Sequence, residues 1–425
     1  MIQINPRISQ VKESATLAIN QKIQTMRSQG QSICHLGFGQ APFNIPKLIQ
    51  ESLKAHAHQK NYLPGSGLPE LCQAVANYYH SEFGYQYTKE HILIGPGSKE
   101  LLFQLFFMLE GPVLIPQSSW VSYRPQMALL NKSYHIIDTY EEDNYCLKPE
   151  ELEAACLKLA QKDSSKQKIL IINTPNNPTG AIYPKDILIQ LAKICSKYNI
   201  IVISDEIYAN IDFSSKNHTS IAHFYPQRTI VTGGLSKLFS AGGYRLGVCL
   251  IPEAMQQLYQ ALKVMISETY SCVSSPIQYA ALTAYSQYKK IKPYLDDCTR
   301  VHKIASLYLY KRFINMGLSL PKPQGAFYLF PNFKAYQASF DQLNIKSNTQ
   351  LANMILEQTQ VALLPGEDFY RNVNEYTFRA ASTDYNGQKA LEAYQQGDTN
   401  DAIINHHMKS LVEGCNRLER WLDNL

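Results

Sequence analysis

The sequence predicts an α/β fold in which a mostly parallel sheet is sandwiched by helices, with a smaller α+β unit drawn from both chain ends. Three observations predict it. Short apolar runs without in-and-out alternation, "ILIIN" (169–173), "IIVIS" (200–204) and "RTIVTG" (228–233), are separated by helical patterns such as "PKDILIQLAKICSKYN" (184–199). Uniformly apolar strands joined by helices belong to a sheet covered on both faces. Each run passes straight into a polar or glycine-rich turn, the end of the strand at which open α/β sheets bind ligands.

The elements follow in order. "LIGPGSKELLFQLFF" (93–107) reads as a strand, a glycine turn and a helix start, and the runs named above continue the alternation. Residues 47–292 are expected to form this large unit. The second unit is expected from 1–46 and 293–425. There "YLDDCTRVHKIASLYLYKRFINMG" is helix-like, "GAFYLFPNF" and "EYTFRAAS" are strand-like, and amphipathic helix runs to the end.

Composition excludes several function classes. The 425 residues are 45% apolar, as in soluble globular proteins, and their net charge of +5 is scattered without blocks or a basic tail. That argues against a nucleic-acid partner. Nine cysteines at irregular spacing, without Cys-x-x-Cys pairs, read as free thiols in a reducing compartment. The start, "MIQINPRISQ", has no signal-peptide pattern, and "LLFQLFFML" (101–109) is ended by Glu110, Gly111 and Pro112 long before it spans a bilayer. The expectation is a cytoplasmic protein with no membrane partner. No metal site is expected: His56 and His58, two apart on a predicted helix, face different directions, and His406 and His407 lack ligand partners at suitable spacing.

Three strand ends carry chemistry. "TPNNPTG" (174–180) compels a tight turn and offers the amides of Asn176 and Asn177; Asp205 is followed by Glu206 and Tyr208; "RTIVTG" leads to Ser236, Lys237 and then Arg245. Singly, each has a plain reading: a turn, a helix cap, a lysine whose stem reaches water. Together on neighbouring strands, an amide, a carboxylate, a lysine and an arginine face one pocket. A lysine held there among cations and away from water has a lowered pKa, so its neutral amine can attack a carbonyl. An aldehyde cofactor supplies that carbonyl, and pyridoxal 5'-phosphate needs a lysine, an acid for its ring nitrogen, a donor for its phenolic oxygen and an anion site.

"GLSKLFSAGGYRLG" (234–247), with "NNPTG", "SDEIY" and "FRAAS" in the same order and spacing, resembles the class I/II pyridoxal-phosphate-dependent aminotransferases of fold type I, the aspartate-aminotransferase-like group. The likeness runs from "ESATLAINQ" to about Asp384. It implies that Lys237 bonds to the cofactor and moves the substrate Cα proton, that Asp205 holds the ring nitrogen, and that Asn177 and Tyr208 bond the phenolic oxygen. Ser236 and Arg245 match phosphate ligands. Gly97, Ser98 and Lys99 match the phosphate cradle at a helix N-terminus, which taken alone is an ordinary βα turn. Trp120 matches an aromatic ring stacked on the cofactor beside the substrate, and Tyr62 a residue that reaches a neighbouring subunit's phosphate, which implies a homodimer. Arg379 matches the α-carboxylate clamp, for which a guanidinium fork is suited. Gly39 matches a backbone position near the substrate, which Asn177 also approaches.

Two departures touch the substrate end of the pocket. "GQAPF" (39–43) lacks acidic residues that the family often has there, and "MISETYSCVSSPIQ" (265–278) holds no Arg or Lys for a second substrate carboxylate; Lys99 is an alternative cation. The implied activity is transfer of an α-amino group between an amino acid and a 2-oxo acid by a ping-pong cycle. The rival readings are a β-lyase or decarboxylase on the same fold and a cofactor-sensing regulator. For the last, residues 1–35 are too short to supply a DNA-binding unit.

Overall fold

The computed structural model describes residues 2–161, 167–214 and 218–425. Its main sheet has seven strands: β1 (Ile92–Gly95), β2 (Val113–Pro116), β3 (Tyr134–Ile137), β4 (Ile169–Asn173), β5 (Ile201–Asp205), β6 (Thr229–Gly234) and β7 (Gly247–Leu250). They lie in the order β1-β7-β6-β5-β4-β2-β3, and only β7 runs antiparallel to its neighbours. Alternate residues of one strand enter different apolar clusters: Ile169 and Ile171 pack on one face, Leu170 and Ile172 on the other. A β-branched run fits this doubly covered environment, as the sequence predicts.

Register explains why three distant turns converge. Asn173 at the end of β4 lies opposite Asp205 at the end of β5, which lies opposite Thr232 in β6. The "NNPTG", "SDEIY" and "GLSK" segments therefore leave the sheet at one level.

A separate three-stranded antiparallel sheet places Phe378–Ala381 between Leu364–Pro365 and Tyr328–Leu329, so only two residues of "GAFYLFPNF" form regular strand. A two-stranded parallel piece pairs Cys34–His35 with Val361–Ala362. The expected terminal helix is three helices, Gly387–Gln395, Asn400–His407 and Lys409–Leu422, interrupted first where Gly397 takes a φ of +88°. The carboxylate of Asp384 joins both chain ends. It accepts hydrogen bonds from Arg27 Nη2 (2.9 Å), the His35 backbone N–H (2.8 Å) and Ser410 Oγ (2.6 Å), fastening the end of helix Ala15–Ser28.

The expectation for His56 and His58 is corrected. The helix ends at His56, so helical spacing does not separate the pair, and their rings stack 6.4 Å apart. Among the described residues no three His, Cys, Asp or Glu are grouped to hold a metal ion, and no helix is long and apolar enough to cross a membrane. All nine cysteines are free thiols.

Candidate active site

Beyond the level ends of β4, β5 and β6 lies a cavity of about 520 Å³. It is lined by Gly39, Ser98, Lys99, Trp120, Asn177, Asp205, Tyr208, Ser236, Lys237, Arg245 and Arg379, eleven of the residues singled out in the sequence. Gly97 stands just behind Arg245. A β-carbon on it would come within 2.2 Å of Arg245 Nη2, and its φ of +93° suits glycine. Tyr62 lies outside the cavity and is 88% exposed.

Lys237 is partly buried, and its Nζ donates a 2.8 Å hydrogen bond to the Gly39 carbonyl. The rings of Tyr208 and Phe327 lie 5.6 Å from it. Desolvation lowers its pKa, opposed by Tyr328 and reinforced by Arg379 and Arg245. A lysine in that state is a usable nucleophile and proton carrier.

Asp205 is buried and receives hydrogen bonds from the Tyr123 hydroxyl (2.7 Å) and, at 3.4 Å, from Thr232 Oγ1. Burial raises its pKa to about 6 against these donors. Directly behind it, Glu206 accepts from Tyr85 (2.6 Å), Ser204 (2.7 Å) and Ser220, with His218 Nε2 3.4 Å away. Burial pushes the Glu206 pKa upward, but His218 and these hydroxyls prevail and hold it below the usual range.

Asn177 is set by its backbone N–H on Asn173 Oδ1 (2.7 Å), and its own Oδ1 accepts from Arg379 Nη1 (3.0 Å). Asn176 does not present its amide to the cavity as expected. Its Oδ1 closes the turn by accepting from Thr179 N–H (3.1 Å) and Oγ1 (2.9 Å). Arg379 is 1% exposed; its Nη2 donates to the Gly37 carbonyl (2.8 Å), while its Nε has no partner among the described residues. A buried guanidinium held by neutral acceptors is primed for an anionic ligand.

At the other end, helix Ser98–Met108 begins without a side-chain cap, so its first N–H groups are free for an anion. Gly247 makes the approach possible, since a β-carbon there would sit 2.4 Å from the Ser98 nitrogen. Arg245 is pinned by Gly242 O (2.9 Å) and Pro96 O (3.2 Å), and Ser236 completes this end. Lys99 Nζ lies 5.1 Å over the Trp120 ring, its pKa lowered by burial and then by Arg245 and Lys237.

The donor set thus fits pyridoxal phosphate. There is an amine, a buried carboxylate to offset a protonated ring nitrogen, a phenol and amide pair, and an uncapped helix start beside a serine and an arginine. Two residues absent from the sequence reading belong here. Tyr123 is reached through β5, and Tyr328 lines the cavity with its hydroxyl 2.8 Å from that of Tyr208.

A family model described as aminotransferase class I and II matches residues 32–415. Aspartate aminotransferase of Bacillus subtilis is 30% identical over 393 residues, covering 90% of this chain and 96% of that protein. An asparagine–oxo-acid transaminase of Streptococcus mutans is 31% identical over 87% of this chain and 92% of its own. Among solved structures, aspartate aminotransferase from Thermus thermophilus with maleate superposes with a TM-score of 0.84 at 24% identity, covering 99% of this chain and 100% of that one.

Proposed function

From the premise that this chain belongs to the class I and II aminotransferase family, we infer which residues serve each step and which donor it prefers. The chain is a pyridoxal-phosphate-dependent aminotransferase, moving an α-amino group between an amino acid and a 2-oxo acid. The donor in this reading is an amino acid with a second carboxylate or its amide, used in a ping-pong cycle.

When bound, pyridoxal phosphate supplies an aldehyde that joins amines and a ring nitrogen that draws electrons from the substrate Cα. The helix start at Ser98, with Ser236 and Arg245, holds the phosphate. Asp205, steadied by Tyr123, keeps the proton on the ring nitrogen. Asn177 and Tyr208 bond the phenolic oxygen. Arg379 would take the α-carboxylate bidentately and so turn the Cα–H toward Lys237, whose neutral Nζ would accept that proton and deliver it to the carbon that was the cofactor's aldehyde.

The observation that carries the donor preference is the placement of Lys99. Among the described residues four cations line the cavity, and three are engaged by the roles above. The fourth, Lys99, forms no ion pair among the described residues and lies over Trp120, in a cavity that Ser14 and Thr16 also line. Its backbone belongs to the phosphate cradle, while its ammonium is free for a distal carboxylate. None of residues 265–278 lines the cavity. The relatives named for aspartate and asparagine support the same reading.

A half-reaction screen tests it: aspartate, asparagine, alanine, leucine and phenylalanine are mixed with cofactor-loaded enzyme and loss of the visible band is timed. Aspartate or asparagine should react fastest, and Lys99→Met should slow aspartate at least tenfold more than alanine. Equal loss for both donors would remove Lys99 from donor selection.

The reading extends to assembly and location. A large unit (47–292) and a small one (1–46 with 293–425) are supported by the segregation of the sheets. The exposure of Tyr62 supports its reaching a second copy in a homodimer, which sedimentation at graded concentrations would test. Nine free thiols support a cytoplasmic setting.

A further inference from the structure

We propose that Tyr328 is a positioning residue that locks the Tyr208 phenol and the Arg379 guanidinium into one fixed relation across the reactive amine. The inference deepens the reading above and rests on it. Tyr328 is 2% exposed and lies opposite Ala381 in the small antiparallel sheet. Arg379, two residues before Ala381, projects on the same face, which makes Tyr328 and Arg379 diagonal cross-strand neighbours. Their contact follows: the Arg379 guanidinium carbon is 4.7 Å from the Tyr328 ring centroid. Cation–π attraction in a water-poor site fixes the plane of the guanidinium.

The other end of the same side chain faces different partners. Its hydroxyl is 2.8 Å from the Tyr208 hydroxyl, and a β-carbon on Gly39 would come within 2.0 Å of it, so the segment that carries the acceptor for Lys237 Nζ is pressed against Tyr328. One ring therefore touches the phenol at the cofactor end, the clamp at the substrate end and the glycine that holds the amine. With Tyr328 as donor to Tyr208, the single proton of Tyr208 is left to point into the cavity. With Phe at 328, Tyr208 loses that director and donates more weakly. The charged or titratable groups facing this pair are Lys237, Arg379, Asp205 and Tyr123.

The test uses Tyr328→Phe, which keeps the ring, and Tyr328→Leu, which removes ring and hydroxyl, in the full-length cofactor-loaded enzyme. For Tyr328→Phe the pH midpoint of the visible band should move upward by roughly half a unit or more, with donor KM within about twofold of the parent. Tyr328→Leu should in addition raise donor KM at least tenfold. In a Tyr208→Phe background the Tyr328→Phe shift should vanish, because the hydroxyl acts through Tyr208. An unmoved midpoint in Tyr328→Phe, or a shift that persists without the Tyr208 hydroxyl, overturns the proposal. Lys237→Ala serves as the control: a visible band that survives this change sinks the cofactor assignment itself, whereas a lysine-dependent band with an unmoved midpoint sinks only the role of Tyr328.

Discussion

The Tyr123 hydroxyl donates a 2.7 Å hydrogen bond to Oδ2 of Asp205, the best donor that this buried carboxylate has among the side chains around it. Hydrogen bonds to charged groups contribute about 1.5–3 kcal/mol each. Tyr123→Phe should therefore lower kcat by roughly 10- to 100-fold and raise the cofactor dissociation constant, with the fold retained. Single-turnover rates and a fluorescence titration with pyridoxal phosphate check this.

Asp205 also makes a prediction for the cofactor-free protein. Its folded pKa of about 6 lies above the ordinary 3.8, so between those values the folded state holds more protons than the unfolded state. Stability from this group is therefore present at low pH and lost as pH rises through that window. At pH 7 the cost is on the order of 1–3 kcal/mol. Asp205→Asn without cofactor should be more stable than the parent at pH 7 and lose that advantage near pH 4, as denaturant midpoints at both pH values would reveal.

Arg379 is held by two neutral acceptors, so it is a preset clamp whose geometry a lysine lacks. Arg379→Lys should reduce kcat/KM by about 100-fold or more through a higher KM, while the visible band of the bound cofactor persists. Steady-state kinetics with the fastest donor, set beside an absorbance spectrum, separate the two effects.

Gly97→Ala should act on the phosphate end. The new methyl group would displace the Arg245 guanidinium, and at φ 93° and ψ 154°, a conformation nearly confined to glycine, it adds on the order of 1–3 kcal/mol of strain. Pyridoxal phosphate should bind on the order of tenfold more weakly, whereas pyridoxal, which lacks the phosphate, should bind as before. Parallel titrations with both compounds decide the matter.

Four strands of the main sheet, β1, β4, β5 and β6, were legible as short apolar runs with chemistry at their ends, whereas β3, whose Tyr134 is exposed, and β7 were not. Lys237, Asp205 and Arg245 follow local patterns, and so they could be read in order along the chain. Tyr328 and Tyr123 could not, for each gains its meaning from a partner 120 or 82 residues away. Both predicted strands around "GAFY" and "FRAAS" were visible, but only their register puts Tyr328 beside Arg379. Asn176 and Asn177 look equivalent in sequence; the turn consumes one amide and leaves the other to the cavity.

The three hydrogen bonds that converge on Asp384 impose an order on biosynthesis. A ribosome will have released every strand of the large sheet once Leu250 has emerged, so the platform under Lys237 can assemble early. The first helix, whose Thr16 and Leu17 line the cavity above that platform, waits for its anchor until Asp384 arrives. Nascent enzyme thus acquires its floor well before its doorway.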